Sequence, residues 1–194
     1  MTHPRPPAPI PTPRLTLRPA EPHDRPGFVE LFASPEVGAY IGGARPRAEL
    51  EREIPEVPGN RPGLFVADLD GAMAGMVTLD RHAADGSDGA GYLSRRAGKV
   101  HLGYLFLPEV WGRGYAAEAC AAALGWFAGA CPGEEVMLCT RTANLRALRL
   151  AARLGFAEAG RFEEFGAEQW LGVFGGGGYG VIGGVAPSGR QVTG

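Results

Sequence analysis

Residues 99–118 read KVHLGYLFLPEVWGRGYAAE, an apolar strand-like run that passes through Pro108 and the turn Gly112-Arg113-Gly114 into an alanine-rich helix. Such a turn leaves backbone N–H groups without intrahelical partners at a helix N-terminus, where the helix dipole also favours negative charge. Glycine lets a phosphate come close to the backbone, and Arg113 adds a cation beside it. The stretch therefore predicts a site for a phosphorylated cofactor. Read as Gly112-x-Gly114-x-x-Ala117, it also satisfies the loose dinucleotide fingerprint, which requires a strand directly before the glycines and an acid at the end of the next strand. Pro108, Glu109, Val110 and Trp111 intervene, and Glu134 and Glu135 precede the next strand instead of ending it. A nicotinamide cofactor is disfavoured on both counts.

About thirty residues on, Thr142-Ala143-Asn144 opens LRALRLAARLGF, an Asn-initiated helix ending at Leu154-Gly155-Phe156. Together with LTLRP at 15–19, SPEVGAYIGG at 34–43 and LGYLFLPEVWGRGYAAEA at 102–119, this order of segments resembles the GNAT superfamily of acyl-CoA-dependent N-acetyltransferases. Within it, the chain is most similar to the branch that acetylates ribosomal-protein N-termini and small amines. The resemblance runs over residues 14–174. It implies a mixed α/β (α+β) fold: a mostly antiparallel central sheet, splayed between its fourth and fifth strands, with helices on both faces.

Length and composition agree. The 194 residues, 20.4 kDa and 45% hydrophobic content suffice for one domain with a real core. A net charge of −2 and a pI near 6.1 give no electrostatic case for nucleic acid. No apolar run is long enough to span a bilayer, and the first residues lack the apolar centre of a secretory signal, so a cytoplasmic protein is expected. Cys120, Cys131 and Cys139 lack metal-site spacing and are expected as reduced thiols, with no bound metal. Residues 1–13 hold six prolines and read as an extended arm; residues 175–194 are glycine-rich and read as a tail. The domain is placed at 14–174, and trimming both ends is expected to leave it intact.

Periodicity predicts strands at 15–18, 64–69 and 73–81, the last two joined at Asp70-Gly71, a strong hairpin signal. Residues 82–98 read as a surface loop. Further strands fall at 99–107, 136–141, 157–164 and 168–174, with helices at 25–33, 46–53, 115–130 and 145–154.

The resemblance assigns roles that elementary chemistry supports. Leu105, Phe106 and Leu107 match the strand whose backbone pairs with the amides of the acetyl-CoA pantetheine arm, a form of strand addition. Gly112, Arg113, Gly114, Tyr115 and Ala116 match the pyrophosphate turn. Relatives usually begin that turn with Gln or Arg, where this chain has Trp111. Asn144 matches an asparagine that bonds the cofactor arm and is equally a helix N-cap. Arg149 is assigned either to the nucleotide phosphates or to a solvated helix face. Glu118 either compensates the dipole of its helix or faces substrate.

Proton handling departs from the family pattern. Positions that carry Ser or Tyr as proton donors in many relatives are Ala147 and Ala151 here. Tyr104 is a weak substitute acid. His101, where relatives often carry Glu, alternates to the face opposite Leu102 and Tyr104 and is either a general base or a structural histidine. Phe32, Tyr40 and Trp170 are assigned to the acceptor pocket. The acceptor is expected to be a small-molecule amine or a peptide or protein N-terminus, and a homodimer is left open. An acyl-CoA-binding protein with little activity, and less so a nicotinamide-dependent oxidoreductase, are the competing readings.

Overall fold

The computed structural model describes residues 9–59, 61–81 and 98–175. Eight strands form one sheet in the order β1-β2-β3-β4-β5-β6-β8-β7. They are β1 (Ile10–Pro11), β2 (Thr16–Arg18), β3 (Leu64–Leu69), β4 (Ala72–Arg81), β5 (Val100–Phe106), β6 (Val136–Arg141), β7 (Ala157–Glu164) and β8 (Ala167–Phe174). All neighbours run antiparallel except β5 and β6. Those two are joined by a helical crossover, as a parallel pair requires. The helices are α1 (Arg25–Ala33), α2 (Pro35–Gly38), α3 (Arg47–Glu53), α4 (Tyr115–Ala130) and α5 (Leu145–Leu154).

Local chemistry explains the joints. Asp70 and Gly71 both take positive φ, 53° and 87°, the pair of conformations that closes a two-residue hairpin with the twist of its strands. The Asn144 side chain accepts from the Ala147 N–H and starts α5, and Gly155 at φ 88° ends it. Ser34 caps α2 in the same way by accepting from Val37 N–H at 3.2 Å.

Each face of the sheet buries its own core. On one side Phe65, Val77, Leu79, Leu102 and Phe106 pack with Leu124 and Phe127 of α4 and with Ala151 of α5. The fully buried Ala119 and Ala123 let α4 approach the strands closely. On the other side Phe28, Leu31 and Val37 pack on Leu64, Val66, Met73 and Leu107. Arg18 is nearly buried and pairs with Asp24 and Asp68, both at 2.7 Å, joining β2, β3 and the turn before α1.

One expectation changes. The arm placed at 1–13 contributes a strand: Ile10 and Pro11 pair with Leu17 and Thr16, so the folded domain starts ahead of residue 14. Pro11 is tolerated because β1 is an edge strand, where one N–H can be absent from the ladder. The fourth and fifth strands of the sequence reading, 99–107 and 136–141, are β5 and β6 here because β1 adds one to the count, and they are the pair that parts. The predicted loop at 82–98 and tail at 175–194 fall outside the described residues apart from Gly98 and Gly175.

Candidate active site

Strands β5 and β6 are paired only at Val100↔Val136 and His101↔Met137, after which no further rung joins them. A wedge opens there in an otherwise continuous sheet. Leu107 N–H bonds Ala74 O at 3.0 Å, and the β4–β5 register is regular. By antiparallel alternation Leu105 and Gly103 therefore also turn their backbone groups to β4, while Tyr104 and Phe106 turn theirs to the wedge. Of the predicted triplet Leu105, Phe106 and Leu107, only Phe106 presents its amide to the opening; Leu105 and Leu107 do not, and Tyr104 joins instead. The arrangement fits an amide-bearing chain, which would satisfy these groups as an added strand does.

At the mouth of the wedge lies the glycine turn. Gly112 and Gly114 hold φ of 77° and 81°, and a Cβ at Gly112 would meet nothing within 4 Å, so its surroundings are open. Gly114 is the N-cap of α4, and Tyr115 and Ala116 supply the first helical N–H groups. Trp111 folds back and donates from Nε1 to Phe106 O at 2.7 Å. Its ring carries the Arg146 guanidinium at 5.2 Å, a cation–π contact that brings a charge from α5 to the turn. Sequence reasoning named Arg149 and missed Arg146, because the stacking platform lies 35 positions away and is seen only in the fold. Arg149 is exposed on α5. Asn144 is committed locally: besides the cap, its Nδ2 donates to Thr140 Oγ1 at 3.3 Å.

His101 is buried on the last shared rung, at the vertex of the wedge, and faces away from α4 as alternation predicts. Its cross-strand neighbour Asp80 is engaged by Arg61. On the same face of the sheet, register places Cys139 of β6, Gln169 and Leu171 of β8, and Phe162 and Glu164 of β7. Burial, and then the Glu164 charge, push the Cys139 thiol up to about 11. Glu164 Oε2 is buried and has no hydrogen-bond partner among the described residues. Sequence analysis missed this carboxylate. The inward position of Glu164 follows the alternation of Phe162 and Glu164, a signal that a bulge between Glu158 and Gly160 obscures.

Three assigned residues have partners that the sequence did not show. Tyr104 lies on the α4 face against the core, and burial, followed by Cys120, pushes its phenol well above the ordinary value; such a group is poorly matched to donate a proton near neutrality. Trp170 is buried in that same core and donates from Nε1 to Glu158 at 2.8 Å, away from the acceptor face. Glu118 accepts from Thr12 Oγ1 at 2.7 Å, Arg14 N–H at 2.8 Å and Arg14 Nε at 2.7 Å, so both oxygens are committed to the N-terminal segment. Burial alone would raise its pKa, but these hydrogen bonds and the Arg14 charge outweigh it and hold the carboxyl below its ordinary range. Phe32 is half-buried against the α1 core, whereas Tyr40 and Ile41 are exposed just beyond α2.

Residues 14–157 match the family model described as an acetyltransferase (GNAT) domain. Solved structures share the fold. A GNAT-family acetyltransferase from Bacillus anthracis superposes with a TM-score of 0.68 at 17% identity, covering 87% of this chain and 98% of that one. The ribosomal α-N-protein acetyltransferase RimL, in complex with coenzyme A, gives 0.66 at 16% identity over 86% and 97% of the two chains. An aminoglycoside acetyltransferase in complex with coenzyme A gives 0.66 at 20% identity over 83% and 94%. Among the described residues no helix is long and apolar enough to cross a membrane. With the wedge and the glycine turn in place and the family model matched over most of its length, the chain belongs to the GNAT acetyltransferase family and is an acyltransferase whose acyl donor is acetyl-CoA.

Proposed function

We propose that the protein acetylates a primary amine, either the α-amine of a peptide or protein or that of a small molecule, by direct attack within a ternary complex. One observation carries the reading: β5 and β6 part after His101↔Met137 beside a glycine turn at the start of a long helix. Acetyl-CoA, when bound there, supplies an acyl group activated as a thioester. The Tyr104 backbone groups and the Phe106 N–H would pair with its amide arm, and the turn from Gly112 to Ala116, with Arg113 and Arg146, would hold its phosphates.

On the opposite face, His101 at the vertex of the wedge takes the proton of the incoming ammonium. Direct attack is supported by the cysteines. Burial raises all three thiols, and a protonated thiol is a poor nucleophile, so none is suited to carry the acyl group. With Ala147 and Ala151 at the usual donor positions and Tyr104 in the core, solvent protonates the departing thiolate.

Limited proton-handling machinery suits an amine of low pKa. An α-amine titrates near ~8 and a lysine near ~10.4, so at neutral pH its uncharged fraction is larger by roughly two to three orders of magnitude. The test is a panel of α-amines and ε-amines assayed for thiol release from acetyl-CoA, with the acetylated product weighed by mass spectrometry. Amine-dependent release that favours α-amines is expected. Acetyl-CoA binding with no amine-dependent release would instead leave a binding protein without transfer.

A further inference from the structure

The segment just before β2 is fastened to the cofactor turn at several points. Thr12 and Arg14 both bond Glu118, on the first turns of α4. The Arg14 guanidinium makes an ion pair with Glu118 at 2.6 Å and lies 4.6 Å above the Tyr115 ring. It also donates from Nη1 to the carbonyl oxygen of Arg113 at 2.8 Å. A Cβ on Gly114 would stand 3.5 Å from Arg14 Nη2. These contacts tie the segment between β1 and β2 to the glycine turn that the acetyl-CoA reading assigns to phosphate.

We propose that Arg14 is a positioning residue for the pyrophosphate of acetyl-CoA, acting through the Arg113–Gly114 peptide; the proposal rests on the acetyl-CoA reading above. A turn with glycine on both sides of Arg113 has wide conformational freedom, and unaligned N–H groups bind an anion weakly. In a planar trans peptide the carbonyl and the following N–H point in opposite directions. Holding Arg113 O toward Arg14 therefore aims Gly114 N–H away from it, out of the turn. The next peptide is fixed from the other side, because Glu118 N–H bonds Gly114 O at 3.1 Å. Glu118 thus closes a small circuit: its backbone holds one peptide of the turn, and its side chain holds the arginine that holds the other. The role of Glu118 is to anchor Arg14.

The test compares acetyl-CoA with S-acetylpantetheine, which carries the same thioester and amide arm but no pyrophosphate. In Arg14→Met, kcat/KM for acetyl-CoA should fall about tenfold through KM, while S-acetylpantetheine changes by less than about twofold. Arg14→Lys should not restore the preference, since an ammonium can pair with Glu118 but cannot also span to Arg113 O as the guanidinium fork does. Glu118→Gln should lower the same preference, and the double variant Arg14→Met/Glu118→Gln should lose less than the sum of the two, as expected for one circuit. If Arg14→Met does not fold, Glu118→Gln reads the same preference. A lowered melting temperature with the acetyl-CoA preference unchanged would reduce Arg14 to a fold contact and overturn the proposal. A wild-type protein that does not prefer acetyl-CoA to S-acetylpantetheine would overturn the phosphate turn itself, and the proposal with it.

Discussion

Gly114 and His101 bear the most direct consequences at the scale of single residues. Gly114 stands at φ 81°, where a β-branched residue costs about 1–3 kcal/mol, and any Cβ there also points toward Arg14. Gly114→Val should therefore raise KM for acetyl-CoA by about tenfold or more in initial-rate kinetics, through a distorted turn. An unchanged KM in a folded variant would take the turn out of the site. His101→Ala should lower kcat by about a hundredfold with KM for acetyl-CoA unaffected, and the defect should ease as pH rises and more of the amine is already neutral. Loss of stability with an unaltered pH–rate profile would leave His101 a packing residue. The turn conformation of Gly114 and the face of His101 were legible in sequence, the first from turn chemistry and the second from strand alternation. Glu118 and Trp170 were not. The partners of Glu118 lie 104 and 106 positions away, and the inward face of Trp170 is set by the register of β8 on β6 and β7.

At the scale of elements, local signals with a physical mechanism carried furthest. Helices α1, α4 and α5 have the bounds predicted from their apolar positions and end signals, and the β3–β4 hairpin turns at Asp70-Gly71. Strand β1 escaped notice because a two-residue strand containing Pro11 has no pattern of its own and exists through its pairing with β2. The clamp that joins β2, β3 and the turn before α1 was equally hidden. Burial by itself would raise the Asp24 carboxyl, but hydrogen bonds from Arg18 and the Glu21 backbone N–H hold it below its ordinary 3.8. The sign follows: a depressed folded-state pKa adds stability that is present above the unfolded value and is lost as pH falls through the folded one. Asp24→Asn should cost about 3 kcal/mol at neutral pH, because it leaves a nearly buried arginine with only Asp68 as counter-charge. It should also flatten the acid limb of stability. Urea unfolding between about pH 3 and 7 checks both, and an acid limb as steep as that of the wild type would show that Asp24 does not drive it.

On the scale of the whole molecule, the proposed function rests on a discontinuity. A sheet that is paired across seven rungs between β4 and β5 loses its pairing two rungs into β5 and β6, directly beside a helix start that offers free N–H groups. The order of segments along the chain made the architecture readable, while the wedge itself, the Arg146–Trp111 stack and the carboxylate of Glu164 arise from contacts between distant segments. The central claim is that wedge and turn together form an acetyl-CoA site. Thermal unfolding with acetyl-CoA, and separately with NAD, tests it most directly. At about a hundredfold excess over Kd, a ligand that binds only the native state adds about 2.7 kcal/mol, which should raise the melting temperature by about 5 °C or more with acetyl-CoA and leave it unchanged with NAD. Stabilisation by NAD, or no response to acetyl-CoA, would contradict the account.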